Sequence, residues 1–552
     1  MSTKPNIVWI ISDDTNDGML GYSGGNMLTP TIDSLARNGV AFTHFHSVAP
    51  ACGPSRYSYL TGHFPGRSPH KELQTTEQYK LGFNAYVYPD KERSVGHALR
   101  QAGYRTGFVG KWHVGASAED LAALIAFQRD EDPCDPEVNR KMAHQQEQLC
   151  VIVRKAGFDY AHSVIWGNHE SLPPKAQNHN IEWITKGGLD FIGESVEADK
   201  PFFLAMAPTT IHFPDHASSM LVDPRYTGGG WSEDHIGCQA SRQSVYDRLH
   251  AAGLEYNSTT VGALWMDDAV GALMDKLRTL GILDNTVVIF STDHGPSVGG
   301  KFATYQRGVR IPFVAQWRGR FSAGATCDDL AQNVDLLPTL LDIAGVPPPD
   351  GMILDGKSLL PLLTGTTTRL AERDDLYFEF GYTRSVRTRK WKYIAWRPPE
   401  SVVDELQNGT HMLDHFNRPI KPGEIPNTLI MGSMLCYPHF FEPDQLYDLE
   451  NDPYETTNLA CIEEHAPVLT EMKARLKRYL NIFSAPFPLD HVPPFMKSEA
   501  YKERSARFMK TIHDAEKVWI KHKKAEGYYY TEKGVAKDVP PHVPCNRDAR
   551  DP

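Results

Sequence analysis

The stretch "NIVWIISDD", residues 6–14, decides the fold. Five apolar residues in a row, Ile7 to Ile11, are too few to span a membrane or to form a signal-peptide core. A short β-branched run bounded by polar residues predicts a strand buried on both faces, with Asp13 and Asp14 at its carboxyl end. Further runs share this character: "RTGFVG" at 105–110, "PFFLAMAP" at 201–208 and "TVVIFST" at 286–292. Helix patterns separate them. "TPTIDSLARNG" opens on Thr-Pro and stops at Gly, "SVGHALRQAG" lines Val95, Ala98, Leu99 and Ala102 along one face, and "VGALWMDDAVGALMDKLRTLG", 261–281, repeats apolar positions at helical spacing. Strand and helix in alternation predict an α/β domain over residues 1–375, a mostly parallel sheet sandwiched by helices.

The pattern changes at "DLYFEFGYTRSVRTRKWKYIAW", where aromatic, β-branched and charged residues alternate as in antiparallel strands with one wet face. This predicts a smaller C-terminal α+β domain over 376–485, with a helix over 463–482. Residues 486–552, rich in Pro and Lys and carrying "GYYY", predict an extended tail that wraps the body or makes a homo-oligomer contact. The chain of 552 residues has a net charge of −11, which argues against a nucleic-acid partner. A local cluster of cations can still bind a small anion. No segment resembles a membrane span. The eight cysteines include no CxxC pair, which argues against a disulfide framework or a zinc–cysteine site. These features predict a cytoplasmic protein, or a secreted or periplasmic one if a signal peptide was removed.

Chemically able residues follow each predicted strand: Asp13-Asp14, then Lys111 and His113, then His212, then Asp293-His294. Ligand crevices of open parallel sheets lie at the carboxyl ends of strands, so the set predicts one site. Taken singly, each has a plainer explanation: an Asp-Asp pair is more often a solvated turn or helix cap, and a lone His is more often structural. Asp267 and Asp268, mid-helix, keep the plain explanation of solvated or locally paired carboxylates.

In "CGPSRYSYLTGH", 52–63, Pro54 suits the first position of a helix, which places Cys52 or Gly53 at the cap. The N–H groups there would stabilise an anion at residue 52. Arg56, one turn on, offers a planar fork for tetrahedral oxyanions. From the residues alone, Cys52 reads as a low-pKa thiolate nucleophile.

"CGPSRYSYLTG" nevertheless matches the CxPSRxxxLTG signature of the type I, formylglycine-dependent sulfatases, and the chain resembles that family over roughly 1–485. "PNIVWIISDD", "GYRTGFVGKWHVG", "STDHG", "KFATYQRGVRIPF" and "QLYDLENDPYETTNLA" are similar to its other segments, in order. The resemblance implies an alkaline phosphatase-like fold and hydrolysis of a sulfate monoester to alcohol and inorganic sulfate. It also implies that Cys52 is converted to Cα-formylglycine by a formylglycine-generating or anaerobic sulfatase-maturating enzyme. The hydrated aldehyde is a geminal diol: one hydroxyl attacks sulfur, and the other expels sulfate as the hemiacetal collapses.

By the same resemblance the metal is Ca²⁺, held by Asp13, Asp14, Asp293, His294 and residue 52, although the imidazole leaves Mg²⁺ or Mn²⁺ open. Arg56, Lys111 and Lys301 neutralise the sulfate and the diol, His113 assists the diol, and His212 protonates the leaving alcohol, with His216 as its backup. Lys111, His212 and Lys301 also bind substrate. Gln306 stands where the family usually has Glu. The alternatives are a phosphonate monoester or phosphodiester hydrolase of the same superfamily, and an inactive glycan-binding homologue. The intact "GKWHVG" segment, nucleophile and carboxylates argue against both. The long private segments at 127–190 and 215–250 read as irregular loops that carry specificity. Their Trp, Asn and His content suits a sulfated sugar, with His169, His179 and Arg225 as subsite candidates, although surface-loop polarity is the more common explanation for each of the three.

Overall fold

The predicted strands lie side by side in the computed structural model, which describes residues 4–16, 18–68, 93–296, 299–408, 437–483 and 486–511. An eight-stranded sheet runs in the order Ala325–Cys327, Val40–Phe42, Phe313–Gln316, Thr286–Thr292, Asn6–Ser12, Phe202–Ala207, Arg105–Lys111, Tyr160–Ile165. Only Phe313–Gln316 runs against the rest. The strands that carry the candidate residues are therefore four consecutive parallel neighbours, and their carboxyl ends share one edge.

Alternation along Asn6–Ser12 explains the two layers. Ile7, Trp9 and Ile11 enter a core with Tyr59, Phe108 and Phe203, whereas Val8 and Ile10 enter a second core with Trp265, Met266 and Leu273 of the helix Ser258–Thr279. Each such fully buried side chain contributes about 1.5–3 kcal/mol. In Arg105–Lys111 the register slips between Val109 and Gly110. Gly110 has φ +95°, and a Cβ there would lie 2.0 Å from the Ala207 carbonyl oxygen. This bulge re-aims the strand end that carries Lys111.

Leu376–Phe380, Thr383–Arg387, Trp391–Trp396 and Asp444–Asp448 form a second, antiparallel sheet backed by the helix Ala466–Leu480. Its Tyr377, Val386, Tyr393 and Leu446 share a core with Val48, Phe64 and Val334 of the larger part. Residues 486–511 lie on this smaller part. Met496, Tyr501 and Met509 are buried beside Trp396 and Phe441, and the Tyr501 hydroxyl donates to the Phe441 carbonyl at 2.7 Å. The tail is helical over 499–511, not extended, and "GYYY" lies outside the described residues.

The private segment at 127–190 also differs from its reading as irregular loop. It contains the helix Pro136–Lys155, the edge strand Tyr160–Ile165 and the start of the helix Ile181–Glu197. Val138, Met142, Leu149, Ile152 and Val153 supply the buried stripe of the first helix, and Asp135 caps it. Among the described residues no helix is long and apolar enough to cross a membrane.

Candidate active site

The signature segment forms the helix Cys52–Thr61, all of it buried, and it ends at Gly62, which has φ +69°. Ala51, in extended conformation, is the capping residue. The helix thus starts two residues before Pro54, with Cys52 first and Pro54 third, and its cap lies before both Cys52 and Gly53. Because Pro54 lacks an N–H, nothing is lost by placing it inside the first turn. The helix is pinned to the sheet by Ser55, whose hydroxyl donates to the Asp293 carbonyl, and by Asn333. The Asn333 amide donates to Ser55 Oγ at 2.9 Å while its oxygen accepts from the Val48 N–H at 3.0 Å. No motif flagged Asn333; a lone Asn carries no pattern.

Opposite charges converge on residue 52. Cys52 Sγ lies 3.1 Å from His294 Nε2 and 3.8 Å from both Asp13 Oδ1 and Lys111 Nζ. Arg56 donates from Nε to Asp293 at 2.9 Å, from Nη2 to Asp13 at 3.3 Å and from Nη1 to the Lys111 carbonyl at 2.9 Å. Its fork therefore binds carboxylates and holds the strand ends together, whereas the sequence reading aimed it at an oxyanion. Lys111 Nζ lies 2.5 Å from Asp13 Oδ2 and donates to Asn168 Oδ1 at 3.0 Å, a partner that sequence reasoning missed. Lys301 Nζ lies 3.1 Å from Asp14 Oδ1, and His294 Nε2 lies 3.4 Å from the same oxygen.

The electrostatics follow from this packing. Burial opposes the charge on Asp13, but Lys111, His212, Arg56 and Lys301 hold its carboxyl well below the usual range. Burial, and Asp13 beside it, push Asp293 up to about 6. Burial and Asp13 disfavour the Cys52 thiolate, yet Lys111, Lys301 and His294 bring the thiol down to about 7. Burial opposes protonation of His294, while Asp293 and Cys52 raise it to about 9. One set of ligand atoms from Asp13, Cys52, Asp293 and His294, and another from Asp13, Asp14 and His212, each lie within 4.8 Å of one another. A dry cluster of carboxylates that repel one another fits a divalent cation.

His212, not its backup His216, faces this cluster: its Nε2 lies 3.9 Å from Asp14 Oδ2. Burial, with Lys111 and Lys301, holds His212 well below the ordinary imidazole value. His113, at φ +48°, is lowered too, by burial and then by Lys111 and Arg56. His169 and His179 are both buried, edge to face at 4.7 Å. The Arg225 guanidinium donates to Asp223 and covers the Trp231 ring at 4.3 Å. Asp267 caps the helix Pro30–Arg37 through the N–H groups of Thr31 and Ile32, and Asp268 pairs with Arg248.

Gln306 lies under the second sheet. Its Oε1 accepts from Arg387 Nη1 at 3.0 Å, while its buried Nε2 has no partner among the described residues. Burial, and then Arg310, lower Arg387 to about 9. Gln306→Glu replaces the unpartnered donor by a carboxylate beside that cation. We expect the melting temperature to rise by roughly 1–3 °C in a thermal scan. A fall would show that the added charge is felt more by Glu455, which accepts from the Gln306 N–H at 2.6 Å.

Comparison with known proteins gives the family. The sulfatase family model matches residues 5–346, more than half of the chain, and the N-sulphoglucosamine sulphohydrolase C-terminal model matches 300–402. Human (Homo sapiens) arylsulfatase A is 29% identical over 492 residues, 83% of this chain and 84% of its own length. The ulvan-active sulfatase of Formosa agariphila is 27% identical over 71% of this chain and 73% of its own. Among solved structures, BT4656 in complex with its substrate D-glucosamine-2-N,6-O-disulfate superposes with a TM-score of 0.56 at 19% identity. That match covers 88% of this chain and all of the other. The chain belongs to the sulfatase family.

Proposed function

We propose that this protein hydrolyses a sulfate monoester, carried by a carbohydrate, to an alcohol and inorganic sulfate. The observation that carries the reading is the placement of Cys52 at a helix start, within 3.8 Å of Asp13, Lys111 and His294 at the ends of three of the four consecutive parallel strands. A thiolate explains the lysines but not the ring of metal-type ligands. An oxygen nucleophile made from Cys52 by a maturating enzyme explains both. Asp13, Asp14, Asp293 and His294 would hold a divalent cation, which we read as Ca²⁺ because three of the four donors are carboxylates. When present, the ion supplies positive charge to sulfate oxygens and the formylglycine hydrate supplies the attacking oxygen.

The remaining chemistry belongs to the chain itself. Lys111 lies beside residue 52 and Lys301 beside Asp14, and both would neutralise the sulfate. Arg56 keeps Asp13 and Asp293 in place. His212 donates the proton to the leaving alcohol. In the free protein burial, and then the two lysines, disfavour its protonation. A sulfate anion between them offsets that repulsion and readies the acid when substrate is present. His113 accepts the proton whose removal releases sulfate from residue 52. The ulvan-active relative and the disulfated-glucosamine complex support a sugar as the alcohol.

Two measurements test this reading. Intact-mass analysis of the peptide that carries Cys52 is expected to show a loss of about 18 Da relative to cysteine. An unmodified thiol in active natural protein would overturn the mechanism. Rates on aryl sulfate, aryl phosphate and phosphonate monoesters should rank sulfate first, and sulfate as the poorest substrate would overturn the reaction class. Activity on simple aryl and alkyl sulfates alone, with none on defined sulfated sugars, would remove the carbohydrate.

A further inference from the structure

Behind His212 lie three buried imidazoles. His179 stacks on His216 with centroids 4.1 Å apart and meets His169 edge-on. His179 is buried and both of its ring nitrogens have protein partners, so neither is left for a contact to substrate. Its backbone is anchored just before the helix Ile181–Glu197, where its N–H donates to Ser219 Oγ at 3.2 Å and the Asn180 side chain caps the helix. Its ring reaches the segment that carries His212 from both ends. Nδ1 lies 2.7 Å from Thr209 Oγ1, and Nε2 lies 2.9 Å from the Pro214 carbonyl oxygen. A carbonyl only accepts, so Nε2 carries the hydrogen, and in the neutral ring the Thr209 hydroxyl donates to Nδ1. Burial lowers His179 to about 4 and keeps this neutral form.

From the other side, Asp13 holds the same segment. Its N–H donates to the Thr210 carbonyl at 2.8 Å, and its carbonyl accepts from the Ile211 N–H at 2.8 Å. Within the segment, His212 donates from Nδ1 to the Phe213 carbonyl at 3.0 Å, which turns Nε2 toward Asp14. The aim of that nitrogen therefore depends on where 209–214 lies. Asp13 fixes its front, and His179 fixes its back.

We propose that His179 is a positioning residue which, by clamping Thr209 and Pro214, aims the His212 imidazole at the leaving-group oxygen. The inference rests on His212 as proton donor. A proton donor matters most for alcohols that leave poorly, so the clamp has a signature that loss of fold alone lacks. His179→Ala should lower kcat on an unactivated alkyl or sugar sulfate at least about tenfold more than on nitrophenyl sulfate, with KM little changed. His179→Gln offers a carbonyl acceptor and an amide donor at a similar separation and should recover most of that loss. Thr209→Val, which deletes only the hydroxyl, should show the same selectivity at smaller size and keeps the test open if His179→Ala does not fold. In a His212→Ala background, His179→Ala should add less than about threefold. Equal losses on both esters, or additive losses in the double variant, would overturn the clamp. A His212→Ala enzyme that keeps the wild-type ratio between the two esters would instead overturn His212 as the donor.

Discussion

Cys52→Ala is expected to lower kcat on an aryl sulfate by at least about five orders of magnitude while leaving the protein folded. Asp13, Lys111 and His294 converge on residue 52. The helix Cys52–Thr61 points its first turn there, and Arg56 ties that helix to Asp13 and Asp293. Alanine keeps the helix and all of these ion pairs, because none of them uses the sulfur. It removes one buried atom, at a cost of about 1 kcal/mol. Burial and Asp13 oppose the thiolate while Lys111, Lys301 and His294 bring the thiol to about 7, so at neutral pH losing the anion adds little to that cost. Activity and stability should therefore separate: a near-normal melting curve with no turnover. Activity within about tenfold of the parent would mean that the nucleophile is elsewhere, and the metal-type ligands would need another explanation.

The strands were legible because five apolar residues in series have few other homes, and because polar groups at their ends need a common crevice. "NIVWIISDD" alone announces a strand between two cores, and Ile7 and Val8 do face different ones. The helix Pro136–Lys155 was missed although Val138, Met142, Leu149 and Ile152 recur at helical spacing, because the polar residues between them dominate its composition. Direction is what sequence does not carry. Arg56, expected to face substrate, bridges Asp13 and Asp293; His179, which reads as loop polarity before it reads as a subsite residue, is buried beneath the His212 segment. Asn168 and Asn333, each bonded to a site residue, have no spacing rule to reveal them.

Asp13→Asn is the second large effect, and it should appear in stability as well as in turnover. Asp13, Asp14 and Asp293 face Arg56, Lys111 and Lys301, three carboxylates against three permanent cations, all buried. Asp13 is the member shared by two of those cations, Lys111 at 2.5 Å and Arg56 at 3.3 Å. An amide of the same shape leaves both pairs without their common counter-ion. Breaking a buried ion pair by neutralising one partner costs about 3–5 kcal/mol, since the remaining charge stays out of water. One effect runs the other way: Asp293, pushed up by Asp13, loses a repulsive neighbour. Asp13 nevertheless sits well below the usual carboxylate range despite burial, so attraction to the cations outweighs repulsion among the carboxylates. The variant should melt several degrees lower, bind divalent metal more weakly and lose at least about a thousandfold in kcat. Cys52→Ala under the same conditions is the control, with a larger turnover loss and little change in melting. An Asp13→Asn protein that melts within about 1 °C of the parent would show that Lys111 and Arg56 find other partners and that the cluster is held chiefly by its metal.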